Sequence, residues 1–180
     1  MTEEITRDRA GMNTNCRNCG APMEPMAHGR YAFCTHCGTF EFPQAPPVDG
    51  VQVIDRPSPS PSCPACAAPL VNSRLDGTVS VRHCEQCRGL LIACADFADV
   101  VARRRARASG APATPVPLDP RELKRQLACP VCHETMDVHP YYGPGNVVID
   151  TCSRCNLVWV DGGELQQITD APGRDRRTRF

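Results

Sequence analysis

The chain has 180 residues, and twenty basic and twenty acidic side chains leave it with a formal net charge of zero. A dedicated polyanion binder is usually basic, so this balance argues against one. Aromatic residues make up 5%, too few for an extended apolar core, and no apolar run approaches the ~20 residues needed to span a bilayer.

In chain order, residues 1–13 are polar and charged and read as a disordered N-terminus without the apolar stretch of a secretory signal. Residues 14–43 contain the first Cys-x-x-Cys pairs, Cys16/Cys19 and Cys34/Cys37. The stretch 44–61 is rich in proline and reads as a semi-rigid, extended linker. Residues 62–108 hold a second set, Cys63, Cys66, Cys84 and Cys87, with Asp76-Gly77 as a turn signal before a Val79-Ser80-Val81 strand. The end of this segment, from about Asp96 to Ala108, reads as a short helix: Phe97, Val100 and Val101 share a face, and arginines gather at the C-terminal end, where cations suit the helix dipole.

Residues 109–118 form a second linker. Asp119-Pro120-Arg121-Glu122 then has the form of a helix start, with an acidic cap, proline at the first position and glutamate three residues after the cap; Leu123 and Leu127 give that helix its apolar side. It leads into a third set, Cys129, Cys132, Cys152 and Cys155, within the segment 119–171. Pro144-Gly145-Asn146 supplies a turn and Val147-Val148-Ile149 a returning strand. An arginine-rich tail, 172–180, follows.

Twelve of the thirteen cysteines therefore repeat one unit, Cys-x-x-Cys … Cys-x-x-Cys, three times, with 14, 17 and 19 residues between the pairs. This is the spacing of a four-thiolate zinc ribbon. The residues inside each pair turn the backbone so that both sulfurs face one point, and a second pair on a neighbouring hairpin completes a tetrahedron. The expectation is a small, mostly β, metal-stabilised architecture: three tandem Zn(Cys)4 ribbons, three Zn²⁺ ions, short flanking helices and proline-rich linkers. Pieces this small need the ion to fold. Thiols kept as metal ligands imply a reducing, cytoplasmic setting.

The third set is followed by Val158-Trp159-Val160-Asp161-Gly162-Gly163-Glu164-Leu165. Together with Cys129-Pro130-Val131-Cys132 and Cys152-Ser153-Arg154-Cys155, this resembles the bacterial family named for the transcription factor IIB-type zinc finger, over residues 129–165. The resemblance implies a zinc ribbon with those four cysteines as ligands. Residues 63–97 are similar to a diverged copy, in which Leu91 stands for Trp159, Ala93 for Asp161, Asp96 for Glu164 and Phe97 for Leu165.

Four thiolates fill a zinc site and leave no position for substrate, so no catalytic residue is assigned and an enzyme is not expected. His28, His36, His83, His133 and His139 fall outside the ligand sets, as does Cys94, which reads as a small, partly buried residue. Arg17, Arg88 and Arg154, beside the ligand pairs, are candidates to soften the −2 charge of each site. Trp159 is expected to pack beneath the metal, and Asp161 and Glu164 to cap a following helix. Two partner classes remain. Arg103, Arg104, Arg105 and Arg107, with Arg174, Arg176, Arg177 and Arg179, offer phosphate contacts to nucleic acid or the transcription machinery. The alternative is a protein–protein adaptor, or, further off, a redox sensor or holdase; a membrane partner is not expected.

Overall fold

The computed structural model describes residues 15–26, 31–41, 50–108, 114 and 116–173. The N-terminal segment, most of the 109–118 linker and the arginines at 174, 176, 177 and 179 lie outside them. Two antiparallel sheets form. The first has three very short strands, β1 (Glu24–Met26), β2 (Tyr31–Phe33) and β3 (Phe40–Glu41), in that order. The second has seven strands: β4 (Val51–Asp55), β5 (Leu70–Leu75), β6 (Val79–Cys84), β7 (Leu90–Ala93), β8 (Asp137–Pro140), β9 (Val148–Cys152) and β10 (Leu157–Val160). Its spatial order is β4-β5-β6-β7-β10-β9-β8.

That order shows that the second and third ribbons are one body. Each contributes a three-stranded meander, and their last strands, β7 and β10, pair antiparallel across the middle. In the register, Leu91 lies opposite Trp159, the residue that holds the same place in the other ribbon. The two ribbons are thus related by an internal two-fold axis through this pair. Trp159 is fully buried and lies over Gly89, where any Cβ would overlap the indole. Trp159 therefore packs across the ribbon boundary as well as against its own site.

Alternation along the strands gives the sheet two apolar faces. One carries Leu75, Val81, Leu90, Ile92, Val158 and Val160, and is covered by helices α1 (Cys94–Arg107) and α2 (Glu164–Asp170) through Phe97, Val100, Val101, Leu165 and Ile168. The other holds Leu70, Leu91, Met136 and Trp159 among the cysteines of both ribbons. The 76–77 turn forms with both residues at positive φ, 52° and 73°, as the Asp-Gly pair dictates. Helix α1 begins two residues before Asp96, at Cys94, whose amide donates to the Asn156 carbonyl at 3.0 Å.

Two sequence expectations are corrected. The proline-rich stretch 44–61 is not wholly a spacer: residues 51–55 form β4 and extend the sheet beside β5. Val51 and Val53, at alternate positions, turn toward the core, and the prolines at 57, 59 and 61 follow the strand. The helix expected from Asp119 is only a 3₁₀ turn, Glu122–Lys124. It stops because Arg125 adopts extended backbone (φ −66°, ψ 143°), which carries its side chain inward to two buried carboxylates. Leu127 then joins the sulfur-lined core, and the Met136 amide donates to the Leu127 carbonyl at 2.8 Å.

Candidate metal centres

All six Cys-x-x-Cys turns share one local geometry. The residue four places after the first cysteine is left-handed: Gly20, Gly38, Ala67, Arg88, His133 and Asn156, with φ between 55° and 75°. In five of them its amide donates to the carbonyl of that cysteine at 2.8–2.9 Å, as with Gly20 to Cys16 and His133 to Cys129. The tight turn leaves neighbouring amides pointing at sulfur, with Cys87 N–H on Cys84 Sγ at 3.5 Å and Cys155 N–H on Cys152 Sγ at 3.4 Å.

The structure brings the sequence-assigned cysteines together as three sets of four: Cys16, Cys19, Cys34, Cys37; Cys63, Cys66, Cys84, Cys87; and Cys129, Cys132, Cys152, Cys155. Within each set the sulfurs lie within 4.8 Å of one another. Closest sulfur pairs are 3.6 Å (Cys16–Cys37), 3.5 Å (Cys19–Cys34), 3.4 Å (Cys66–Cys84) and 3.6 Å (Cys132–Cys152). A tetrahedron with zinc–sulfur bonds of about 2.3 Å has an edge of about 3.8 Å, so the donor sets fit zinc. In ribbon two, hydrogen bonding from Cys63 drives the Cys84 thiol far down, while the same close sulfur neighbours push Cys63 and Cys87 far up. A divalent ion bound by all four would hold them as thiolates.

A family model described as a transcription factor zinc-finger, the TFIIB-type zinc ribbon, matches residues 62–103 and 128–171. The two matched segments contain the second and third sets of four cysteines. Neither the curated proteins nor the solved structures give a match. The protein binds three Zn²⁺ ions, one per set of four cysteines, and each ion ties together two turns of a TFIIB-type or similar ribbon. Residues 15–41 lie outside the matched segments.

The ribbons differ in how they shield the metal. In ribbon two, Cys63, Cys84 and Cys87 are buried and Cys66 is half-buried; ribbon three buries Cys129 and Cys152 and half-buries Cys132 and Cys155. Ribbon one buries Cys16 and Cys34 but exposes Cys19 and Cys37. The arginines beside the turns do not aim at sulfur in ribbons one and three: Arg17 meets Glu41 at 3.6 Å, and Arg154 pairs with Glu134.

Sequence reasoning missed the chief polar element, a buried network centred on Arg125. Its guanidinium bridges Asp150 and Asp161, and all three residues are buried. Burial opposes the charge on Arg125, but Asp161, Asp150 and Glu164 outweigh it and hold its pKa well above the ordinary value. Burial pushes Asp150 up to about 6 although Arg125 pulls the other way. The Trp159 Nε1–H donates to Asp161 Oδ1 at 2.8 Å. Asp161 is therefore not the side-chain cap of α2. Only half of the expected box forms, with Glu164 Oε2 accepting the Asp161 amide at 2.7 Å. The signal for this network was the acid–base pattern itself, but its partners lie 25 and 36 residues from Arg125.

The arginine cluster on α1 is also divided. Arg104 makes a two-pronged pair with Asp76 at 2.6 and 2.8 Å. Arg105 donates to the carbonyls of Ile168 (2.6 Å), Ala171 (3.0 Å), Thr169 and Gly173, tying α1 to the end of α2. Arg103 and Arg107 face solvent. His83 is buried and burial lowers its pKa; His36 and His133 are exposed and His139 is half-buried. Cys94 is half-buried against the helix-covered core. No described helix is long and apolar enough to cross a membrane.

Proposed function

We propose that this is a non-enzymatic protein-interaction scaffold, in which zinc builds rigid surfaces and performs no chemistry. The observation that carries the reading is the distribution of side chains between fold and surface. The basic residues expected to meet phosphates are partly consumed internally, Arg104 by Asp76 and Arg105 by the end of α2. Trp159, the only tryptophan, is buried and so is not a base-stacking platform. By contrast, ribbon one and the 121–125 turn enclose an apolar slot of about 160 Å³, lined by Met26, Tyr31, Phe33 and Phe40 with Arg121 and Lys124 at its rim. A slot of this kind suits an apolar anchor side chain from another protein.

The test is capture from nuclease-treated extract by zinc-loaded protein. F33D, at the slot, is expected to abolish capture while leaving three zinc ions per chain, and R103A/R107A to leave capture intact. A second reading, nucleic-acid binding, is favoured by the solvent-facing Arg103 and Arg107 and by the transcription-factor family match. Micromolar binding to nucleic acid that weakens steeply with salt and is lost in R103A/R107A would replace the first reading with the second.

A further inference from the structure

The three zinc sites differ in access, and the difference is confined to one ribbon. Among the described residues, the only exposed ligand cysteines are Cys19 and Cys37, both in ribbon one. Each exposed sulfur lies beside a buried one: Cys37 is 3.6 Å from Cys16, and Cys19 is 3.5 Å from Cys34. The polar groups on Cys37 are themselves at the surface, the Thr39 hydroxyl at 3.1 Å and the Asn18 amide at 3.7 Å. Ribbon one also has the least structure to hold its ligands in place without metal. Its strands are two or three residues long, its buried apolar cluster is Met26 and Tyr31, and among the described residues it shares no strand pairing with the seven-stranded sheet. Ribbons two and three brace each other through the β7–β10 pairing, and their sulfurs share one core with Trp159.

We infer that ribbon one is an oxidation-responsive zinc site, at which a peroxide converts Cys37 or Cys19, with its buried neighbour, to a disulfide and releases the ion while ribbons two and three stay loaded. This goes beyond the scaffold reading and does not depend on which partner class is correct. Thiolate reactivity toward peroxide follows access and thiolate character. The exposed Cys37 thiolate attacks one peroxide oxygen, the O–O bond breaks, and the departing hydroxide takes a proton from solvent to leave as water. The resulting sulfenic acid is then attacked by the Cys16 thiolate. A sulfur–sulfur bond forms and hydroxide leaves, again protonated by solvent. The two sulfurs have given up two electrons, one peroxide has become two waters, and zinc has lost two of its four ligands. Cys19 and Cys34 stand in the same relation for a second peroxide.

Release has a structural consequence. Tyr31, buried in ribbon one, sits with its ring centroid 5.9 Å from the Arg125 guanidinium carbon, and Arg121 Nη2 donates to the Pro25 carbonyl at 3.3 Å. Unfolding ribbon one removes both contacts and dismantles the apolar slot, because Met26, Tyr31, Phe33 and Phe40 all belong to it.

The experiment uses the full, zinc-loaded chain and hydrogen peroxide, with released zinc followed by a chromogenic chelator and thiols mapped by alkylation and mass spectrometry. One zinc ion per chain is expected to leave about tenfold faster than the others, with Cys16–Cys37 or Cys19–Cys34 disulfides in the same phase and the other eight ligands still reduced. C19S/C37S is expected to retain two ions and to lack the fast phase. Equal release from all three sites, first release from ribbon two or three, or zinc loss without oxidation of ribbon one would each overturn the inference. So would loss of all three ions in C19S/C37S, which would mean that ribbon one is not separable. Exchange with isotopic zinc, without oxidant, adds an independent reading: one fast site of three supports the inference, and three equivalent sites refute it.

Discussion

Replacing Arg125 with methionine removes one cation from between two buried carboxylates. Arg125 has 3% of its side chain exposed, Asp161 3% and Asp150 none, so solvent cannot take over its role. Breaking a buried pair by removing one partner costs about 3–5 kcal/mol, because the remaining charge is left uncompensated. Here two carboxylates are orphaned together, which places R125M toward the upper end at alkaline pH. Asp150 offers a way out, since burial already raises it to about 6 and loss of the guanidinium raises it further. Protonation relieves the penalty, so the cost of R125M falls as pH drops from 8 to 6. Urea unfolding, followed by Trp159 fluorescence with zinc held constant in excess, measures this directly. The indole is buried and hydrogen-bonded to Asp161, so it reports on the same network. R125K retains charge but cannot bridge both acids as a planar fork does, and should recover only part of the loss. A cost below about 1 kcal/mol at pH 8, or one independent of pH, would refute the view that Arg125 holds this network together.

Other predictions follow from single contacts. G89A places a methyl group against the Trp159 indole and should destabilise the sheet by about 1–3 kcal/mol, seen as a lower urea midpoint with zinc content unchanged. A67G and R88G relieve left-handed backbone at non-glycine residues (φ 60° and 64°) and should each stabilise ribbon two by up to about 1 kcal/mol; a loss of stability in both would contradict this. Because the folded-state pKa of Asp150 is raised, its contribution to stability is full below about pH 4 and lost as pH rises through about 6. The stability of the wild type minus that of D150N should therefore fall between pH 5 and pH 7.5, and a difference that rises over that range would sink the assignment. R104A should cost stability by freeing Asp76, while R103A on the solvent side of α1 should be neutral; equal effects in thermal melts would show that Arg104 is not tied into the fold.

Much of the metal chemistry was legible because it is local. Cys-x-x-Cys fixes two sulfurs within one turn, and the Gly20 and Gly38 positions mark the left-handed residue that the turn requires. The Asp76-Gly77 turn, the buried face of α1 and the returning strands β6 and β9 follow from short-range pattern in the same way. The roles of long-range partners were not legible. Sequence could not say that Leu91 and Trp159, matching positions in two copies, meet on a two-fold axis, or that Gly89 is small to admit the indole. Nor could it separate Arg104 and Arg105, which serve the fold, from Arg103 and Arg107, which face water. The sequence alone determined where each zinc ion is held, because ligand geometry is set within a few residues of backbone. Only the tertiary structure decided which ribbons fuse, which charges are spent internally and which metal site is open, because those depend on pairing and burial between segments far apart in the chain.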